Sequence, residues 1–379
     1  MDFDLSDEQR LLKESVDRLI LDQYQFQQRK QYMAEPAGYS ATIWQRFADQ
    51  GLLGLPFPET LGGFGGGSVE MMIVAEAFGR GLVVEPYFAT VILAGGLLRR
   101  AADPALLASL VPQLTAGTLK LAFGHVERHS RYDLANVTTT AQKDQSDYIL
   151  NGAKSVVLHG DGADKILITA RISGAQMDRD GIGLFLVDAD APGLSRRGYP
   201  TQDGMRAAEI VLSGVRATAL SDNALPVIEH AIDEAIAALC SEAVGTMQSM
   251  HDLTLEYLKT RKQFGRPIGS FQVLQHRSVD MLVALEQARS MAMFAAVMAA
   301  EENPVERRRA IAAAKVQIGR SGRLIGQEAV QLHGGIGMTM EYSVGHYFKR
   351  MTMIDQLFGD ADHHLASLAR LGGLFGATA

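Results

Sequence analysis

One arginine combines a charged side chain with a predicted buried position on a helix. Between residues 239 and 257, apolar or small residues recur every three or four positions, which predicts a helix with one buried stripe. Arg261 falls on the same stripe. An unpaired buried charge is costly, and the planar guanidinium matches a phosphate or a carboxylate. The sequence therefore predicts an anionic partner for Arg261, either a ligand or a protein carboxylate at an oligomer contact.

Two motifs in the C-terminal half together resemble the acyl-CoA dehydrogenase family. Residues 261–265 read Arg-Lys-Gln-Phe-Gly, with Pro-Ile-Gly-Ser-Phe-Gln at 267–272, and residues 331–337 read Gln-Leu-His-Gly-Gly-Ile-Gly. In that family the matching arginine, glutamine and phenylalanine touch the FAD of a neighbouring subunit, and the Gln…Gly-Gly turn approaches its adenosine diphosphate part. The resemblance nominates these cofactor-binding residues: Arg261, Gln263, Phe264, Gln272, Gln331, Gly334 and Gly335.

The resemblance implies a reaction on an acyl-CoA thioester. Family members form the trans-2-enoyl-CoA: a carboxylate takes the proton from Cα, the hydride from Cβ passes to the flavin, and the electrons go on to an electron-transfer flavoprotein. A carboxylate suffices because hydrogen bonds to the thioester acidify Cα, and a dry site raises the pKa of the base. In the family register the base position is Gly359. Asp360 follows it and is the candidate base if the chain works alone.

Two other carboxylates are weaker alternatives for the base. A second group within the family draws its base from the helix before Arg-Lys-Gln-Phe-Gly, where the matching position is Ala235. Glu234 is adjacent to it, and Glu242 lies further along the helix. Asp360 could instead cap a helix or pair with His363. No metal site is expected at residues 360–364, because consecutive residues cannot easily turn several ligands toward one ion.

The segments that cradle the flavin in the family are altered in this chain. Family members usually carry an acid-proline pair, a Gly-Ser-Asp run and a Trp-x-Thr. Here residues 124–134 read Gly-His-Val-Glu-Arg-His-Ser-Arg-Tyr-Asp-Leu, and residues 156–160 read Val-Val-Leu-His-Gly. Such a change resembles one subunit of the two-gene (heteromeric) acyl-CoA dehydrogenases, of which the pimeloyl-CoA dehydrogenase small subunit and the steroid side-chain enzymes are examples.

Three functions remain open at this point. The first is an FAD-dependent acyl-CoA dehydrogenase of fatty acid, dicarboxylic or steroid side-chain β-oxidation. It would act as a homo-oligomer (dimer or tetramer) or as a heterotetramer with a paralogous subunit. The second is a non-catalytic or base-deficient subunit of such a heteromer. The third is a flavin oxidase or monooxygenase on the same fold.

The hydrophobic period divides the chain into three parts, 1–120, 121–223 and 224–379. Helical spacing fills the first part, where Ser6 with Gln9 predicts a capping box and Ser68 can cap a later helix. Short β-branched segments fill the second, and Asn151-Gly152 predicts a two-residue hairpin turn. The resemblance implies an α+β multidomain fold: an N-terminal helical domain, a central antiparallel β-barrel and a C-terminal four-helix bundle.

The bundle helices are predicted near residues 227–260, 271–300, 304–333 and 342–374. Asn303 supplies an N-cap for the third, Pro304 its first residue and Glu306 an acid in the first turn.

Composition narrows the partners and the compartment. The 379 residues are 47% hydrophobic and 21% charged with a net charge of −7, as in a folded protein, and no long basic run could neutralise a nucleic acid. The first eight residues are acidic where a signal peptide would be basic, and no apolar run is predicted to span a membrane. A cytoplasmic location is expected. Cys240 is the only cysteine and is expected to be a small buried hydrophobe.

Overall fold

The computed structural model describes residues 5–372, which form two compact units. One unit comprises the described residues up to Gln31, Gly67–Val83 and the chain from Ile236 onward; the other comprises Tyr32–Gly66 and Val84–Ala235. The second unit contains the central β-sheet, and the first contains most of the C-terminal helices. The three-part division at residues 120 and 223 stays a prediction.

The N-terminal part is helical, as predicted. Its helices are α1 (Asp7–Gln23), α2 (Phe26–Ala34), α3 (Ala41–Asp49), α4 (Ser68–Gly81), α5 (Gly95–Ala101) and α6 (Pro104–Thr115), with a π-helical segment at Phe88–Ala94. The capping box of α1 is confirmed: Ser6 accepts from the amide of Gln9, and Gln9 accepts from that of Ser6. The predicted cap at Ser68 is wrong. Gly67 occupies the cap position because the carboxylate of Glu70 reaches back to its amide, 2.7 Å away.

Helices α4 and α7 (Leu225–Thr260) approach each other closely at two glycines. A Cβ on Gly79 would lie 1.9 Å from the carbonyl oxygen of Glu242, and a Cβ on Gly245 would lie 1.9 Å from that of Glu76. Both positions therefore require glycine, and the two backbones pack with no side chain between them.

The central sheet closes on itself. Its strands are β1 (Leu121–Gly124), β2 (Thr140–Asp144), β3 (Asp147–Leu158), β4 (Lys165–Arg171), β5 (Ile182–Asp188), β6 (Leu194–Pro200) and β7 (Arg206–Ser221). Neighbouring strands run β4-β2-β3-β7-β5, and β5 pairs with β4 again, so the strands form a barrel. Most strand pairs are antiparallel, including β6 with β7, but β1 pairs with β4 in parallel. The barrel encloses an apolar core that includes Leu150, Ile168 and Phe185.

The predicted hairpin turn at Asn151-Gly152 is wrong. The turn lies at Gln145-Ser146, and β3 continues through Asn151-Gly152 with a bulge in its pairing with β7. Gly152 has a φ of 149°, and a Cβ there would lie 2.7 Å from the Cα of Thr139. The Asn-Gly pair therefore serves a close backbone approach within the strand.

The C-terminal part contains α7, a short ribbon of β8 (Lys262–Gln263) and β9 (Arg266–Pro267), and the helices α8 (Gln272–Met298), α9 (Pro304–His333), α10 (Val344–Gln356) and α11 (Ala361–Arg370). The start of α9 is confirmed, because Asn303 accepts from the amides of Val305 and Glu306.

The fourth predicted bundle helix, 342–374, is two helices. It breaks between α10 and α11 because Phe358 and Gly359 have φ values of 58° and 111°, which a right-handed helix cannot contain. The end predicted at Leu374 lies outside the described residues.

Helix α8 is long and apolar enough, by length and composition, to cross a membrane, although the sequence predicts no span. Its buried residues, among them Met281, Leu285, Ala288, Ala292 and Ala295, follow the spacing of one helix face. One such helix is weak evidence of a span, because a core helix of a soluble protein passes the same test.

Candidate active site

The Arg261 motif forms a short ribbon after α7. The amide of Arg261 donates to the carbonyl of Tyr257 (2.8 Å), and its carbonyl accepts from Ile268 (2.9 Å). Phe264 and Gly265 turn the ribbon with φ values of 53° and 76°. The predicted burial of Arg261 is wrong, because α7 ends at Thr260 and the Arg261 side chain is exposed.

The helices that lead into the two motifs meet at their C-terminal ends. The ring of Tyr257, near the end of α7, lies 4.5 Å from that of His333, the last residue of α9. His333 is buried and also contacts Tyr342, with ring centroids 5.0 Å apart. Gly334 then ends α9 with a φ of 64°. The end of α7, which leads into the Arg261 ribbon, therefore meets the end of α9, which leads into the turn at 331–337, although some 70 residues of sequence separate Arg261 from Gln331.

All seven nominated cofactor-binding residues are exposed, and we call them the motif surface: Arg261, Gln263, Phe264, Gln272, Gln331, Gly334 and Gly335. Among residues 5–372, Arg261 has no ion-pair partner. Phe264 is 89% exposed, and its ring meets that of Phe271 edge-on, at 6.1 Å between centroids. A bare phenylalanine and an unpaired arginine beside exposed glycines are suited to contact a ligand or a second chain.

The turn between α10 and α11 contains Gly359, the residue that the resemblance places at the base position. Gly359 is buried with a φ of 111°, and a Cβ there would lie 2.6 Å from Cδ2 of His363 and 2.8 Å from Nε2 of His364. A side chain at Gly359 would meet both a strained backbone and two rings. No glutamate fits this position in the present backbone.

Asp360 caps α11. Its Oδ1 accepts from the amide of His363 at 2.8 Å, and the residue is half-buried. Its assignment as the base stays a prediction.

A buried lysine that the sequence analysis did not single out holds this turn. Lys315, on α9, donates through Nζ to the carbonyls of Ile354 (2.6 Å), Asp355 (3.0 Å), Leu357 (3.0 Å) and Gly359 (2.9 Å). Three protons serve four carbonyls, so at least one hydrogen bond is shared. Burial lowers the pKa of Lys315 to about 8. The sequence offered one indication of this role: Lys315 is a lysine at a helical position flanked by small and apolar residues.

Both alternative bases are held in ion pairs. Arg350 binds both oxygens of buried Glu242, at 2.6 and 2.9 Å. Arg99 and Arg100 bind Glu234, at 3.3 and 2.6 Å. The structure thus places Glu234 and Glu242 in ion pairs, and their assignment as alternative bases stays a prediction.

A groove of about 610 Å³ opens on the barrel, and we call it the barrel groove. It draws residues from the two segments that the resemblance compares with the flavin cradle. Its lining is Val126, Glu127, Arg128, Arg131, Ser155, Val156, Arg197, Gly198, Tyr199 and Glu209.

A second bulge in β3 shapes the groove wall. The pairing of β3 with β7 shifts between Lys154 and Val157, and Val156 has a φ of 52°, which is rare for a β-branched residue. The carboxylate of Glu209 accepts from the hydroxyls of Ser155 and Tyr199, each at 3.0 Å. Burial raises the pKa of Glu209, but hydrogen bonds from Ser155, Tyr199 and the Val156 amide outweigh burial and lower it. Glu209 is therefore a poor proton acceptor.

A buried ion pair supports the groove from inside the barrel. Lys154 Nζ lies 2.6 Å from Glu127 Oε1 and also donates to Thr169 Oγ1 at 3.2 Å. Glu127 further accepts from the amide and hydroxyl of Thr139, at 3.0 and 2.7 Å, and from Thr138. Burial raises the pKa of Glu127, but Lys154 and the threonines outweigh it and lower the pKa to about 2. No sequence pattern indicated this pair.

The residues present fit a flavin dinucleotide in two separate places. The motif surface offers a free guanidinium, an aromatic ring and glycines that leave backbone accessible. The barrel groove offers an open volume of about 610 Å³ with an apolar wall at Val126 and Val156. Tyr199 is the one aromatic residue among the described residues that line the groove.

Comparisons with known proteins cover essentially the whole chain. Models of the acyl-CoA dehydrogenase N-terminal, middle and C-terminal domains match residues 6–118, 122–215 and 225–372. Acyl-CoA dehydrogenase IpdE2 of Mycolicibacterium smegmatis is 30% identical over 365 residues, covering 96% of this chain and 98% of that protein. Caffeyl-CoA reductase-Etf complex subunit CarC of Acetobacterium woodii is 28% identical over 327 residues, covering 83% and 85%. The ChsE4-ChsE5 complex from Mycobacterium tuberculosis matches with a TM-score of 0.87 and 25% identity, covering 98% of each chain.

Proposed function

Because the chain belongs to the acyl-CoA dehydrogenase family, we propose that it serves α,β-dehydrogenation of an acyl-CoA thioester as a subunit of an FAD-dependent oligomer. One observation supports the proposal: the helix ends that lead into the Arg261 ribbon and into the turn at 331–337 are in contact, and the seven residues of the motif surface are exposed. Bound FAD supplies the hydride acceptor. The product is the trans-2-enoyl-CoA.

The motif surface would contact the FAD of a neighbouring subunit, whose own chain cradles the flavin ring. The Arg261 guanidinium would bind phosphate oxygens, and Phe264 would cover an apolar part of the nucleotide. Gln263, Gln272 and Gln331 would supply amide hydrogen bonds. Gly334 and Gly335 would let the backbone approach, since no atom lies within 4 Å of a Cβ built on either.

Helix α8 supports assembly into an oligomer. It exposes apolar residues close together on its surface, including Val279, Leu282 and Val283, of which Val283 is 51% exposed. An exposed apolar surface of this kind is typical of a subunit contact. The partner is a second copy or a paralogous subunit, and the electrons pass to an electron-transfer flavoprotein. The relative CarC is named as a subunit of such an Etf complex.

The proposed function has two versions, which differ in the subunit that supplies the catalytic base. If the chain is catalytic alone, Asp360 takes the Cα proton. The turn at Gly359 favours a second version, a base-deficient subunit in a heteromer, because its backbone and its two histidine rings exclude a glutamate. The related ChsE4-ChsE5 structure is a complex of two differently named proteins.

Flavin content and flavin reduction test the proposal. The chain, purified alone or with a co-expressed paralogue, is expected to carry FAD. An acyl-CoA should bleach that flavin under anaerobic conditions in both preparations if the chain is catalytic alone, and only in the paralogue complex if the chain is base-deficient. A colourless chain whose paralogue complex also ignores acyl-CoA would refute the function. Hydrogen peroxide formed in air at the rate of substrate oxidation would instead indicate an oxidase.

A further inference from the structure

Three arginines surround the mouth of the barrel groove. We propose that this arginine rim, Arg128, Arg131 and Arg197, binds the phosphates of a ligand seated in the groove. The kind of ligand follows from the proposed function. The site itself is inferred from the charges in the groove.

Two of the rim arginines lack a protein partner. Among residues 5–372, neither Arg131 nor Arg197 has an ion-pair or hydrogen-bond partner for its side chain. Arg128 lies 3.8 Å from Glu209, and its side chain is 82% exposed. Other arginines of the same unit are engaged: Arg196, adjacent to Arg197, donates to three carbonyls that include Ala163 (2.9 Å).

The carboxylates in the groove do not neutralise the rim. The charge of Glu127 is matched by Lys154, 2.6 Å away. Glu209 is held by the hydroxyls of Ser155 and Tyr199 and is the one remaining negative charge in the lining. Three guanidinium groups facing one carboxylate leave the mouth of the groove positive, which favours an anionic ligand.

The rim is attached to fixed backbone. The turn that carries Arg128 and Arg131 is closed by buried Ser130, whose hydroxyl accepts from the amide of Glu127 and donates to its carbonyl, each at 2.9 Å. Arg131 has a φ of 47°, a conformation that non-glycine residues rarely adopt. Arg197 lies on β6, in register with Glu209 of β7. A site on fixed backbone loses less entropy when it binds.

The guanidinium geometry suits an anion with several oxygens. Each fork can bind two oxygens, so adjacent arginines match the several oxygens of a diphosphate. Val126 and Val156 add apolar surface for the organic part of the ligand. Two molecules of the proposed reaction carry this chemistry: the diphosphate of FAD and the phosphates of coenzyme A.

Calorimetric titration of the full chain with inorganic pyrophosphate tests the rim. The double variant Arg131→Ala/Arg197→Ala is expected to bind pyrophosphate at least tenfold more weakly than the unmodified chain. Lys143→Ala is the matched control, because it removes one exposed positive charge from β2, outside the groove. Equal binding by the double variant and the control, or no binding by the unmodified chain, overturns the proposal. Thermal melting of each variant establishes that it is folded.

Parallel titrations with FAD and coenzyme A identify the source of the phosphate. Weaker binding of FAD alone by the double variant assigns the rim to the flavin nucleotide, and weaker binding of coenzyme A alone assigns it to the substrate. A further outcome is that Arg261→Ala lowers FAD binding while the rim variant binds both compounds normally. In that case the arginine rim does not bind phosphate, whereas the proposed function stands.

Discussion

Lys154 and Glu127 carry opposite charges inside the barrel, and both side chains are almost completely buried. Lys154 is fully buried, and every oxygen of Glu127 accepts hydrogen bonds. Such a pair is tolerated because its charges and lone pairs are all satisfied. Removal of one partner leaves the other as an uncompensated buried charge.

Lys154→Met is therefore expected to lower the free energy of unfolding by about 3–5 kcal/mol, because Glu127 loses its cation but keeps its burial. Urea denaturation measures the change. Lys143→Met, an exposed lysine on the neighbouring strand, is the control and should stay within about 0.5 kcal/mol. Similar losses in the two variants would mean that the buried pair contributes nothing specific.

Arg261 belongs to a different class of charge, since it is exposed and its proposed partner is a ligand. Arg261→Ala is expected to lower FAD retention at least tenfold, because a charge-assisted hydrogen bond to phosphate is lost, while the melting temperature stays nearly unchanged. Absorbance after gel filtration gives the flavin content. Lys262→Ala, an exposed neighbour on the ribbon, serves as the control. Full occupancy with a lowered melting temperature would indicate a protein ion pair instead.

At the scale of elements, the turn between α10 and α11 shows how a distant residue sets local backbone. Phe358 and Gly359 both have positive φ, which is unfavourable unless other contacts impose it. Lys315 imposes it by binding four carbonyls at the end of α10 and in the turn, and His364 lies 3.1 Å from the carbonyl of Phe358. The turn is rigid because α9 and α11 both hold it.

Gly359→Ala is expected to destabilise the protein by about 1–3 kcal/mol, because the new methyl group meets His363 and His364 and the backbone is strained. Hydrogen exchange should show faster exchange in α11 in particular. Gly162→Ala is the matched control, since no atom lies within 4 Å of a Cβ at Gly162 and its φ is ordinary. An unchanged Gly359→Ala protein would mean that the turn relaxes easily.

Sequence patterns predicted elements well where the determining residues are adjacent in the chain. The cap at Asn303-Pro304 succeeded because the cap and the amides it binds are neighbours. The hairpin turn predicted at Asn151-Gly152 was wrong because β7, some 60 residues away, decides whether that pair forms a turn or a bulge. The break at Gly359 was missed because Lys315, which stabilises it, lies 44 residues earlier.

The candidate site divides in the same way. Its motif surface could be identified from two contiguous motifs, but the exposure of Arg261 could not, because that depends on where α7 ends. The ion pairs of Glu234 and Glu242 join residues more than 100 positions apart. No local pattern reports them.

At the scale of the whole molecule, the question is whether one kind of chain suffices for catalysis. Asp360→Asn keeps the size and the capping oxygen of the side chain but cannot take a proton. If the chain is catalytic alone, this variant is expected to abolish anaerobic flavin reduction while acyl-CoA binding is retained, as stopped-flow absorbance and calorimetry would show. Asp362→Asn, in the same first turn of α11, is the control.

The opposite result has an equally definite meaning. If flavin is reduced only with a co-expressed paralogue, and Asp360→Asn leaves that reduction unchanged, the base belongs to the other subunit. The turn at Gly359 would then be a permanent feature of a subunit specialised for holding the cofactor.

The single cysteine has a practical consequence. Cys240 is fully buried, and burial raises the pKa of its thiol to about 12. Maleimide and methanethiosulfonate reagents should therefore leave the native chain unlabelled, so that a surface substitution such as Lys143→Cys provides one spin label per subunit without prior removal of a thiol. Dipolar spectroscopy between such labels would count the copies in an assembly and distinguish a homo-oligomer from a mixed one directly in solution.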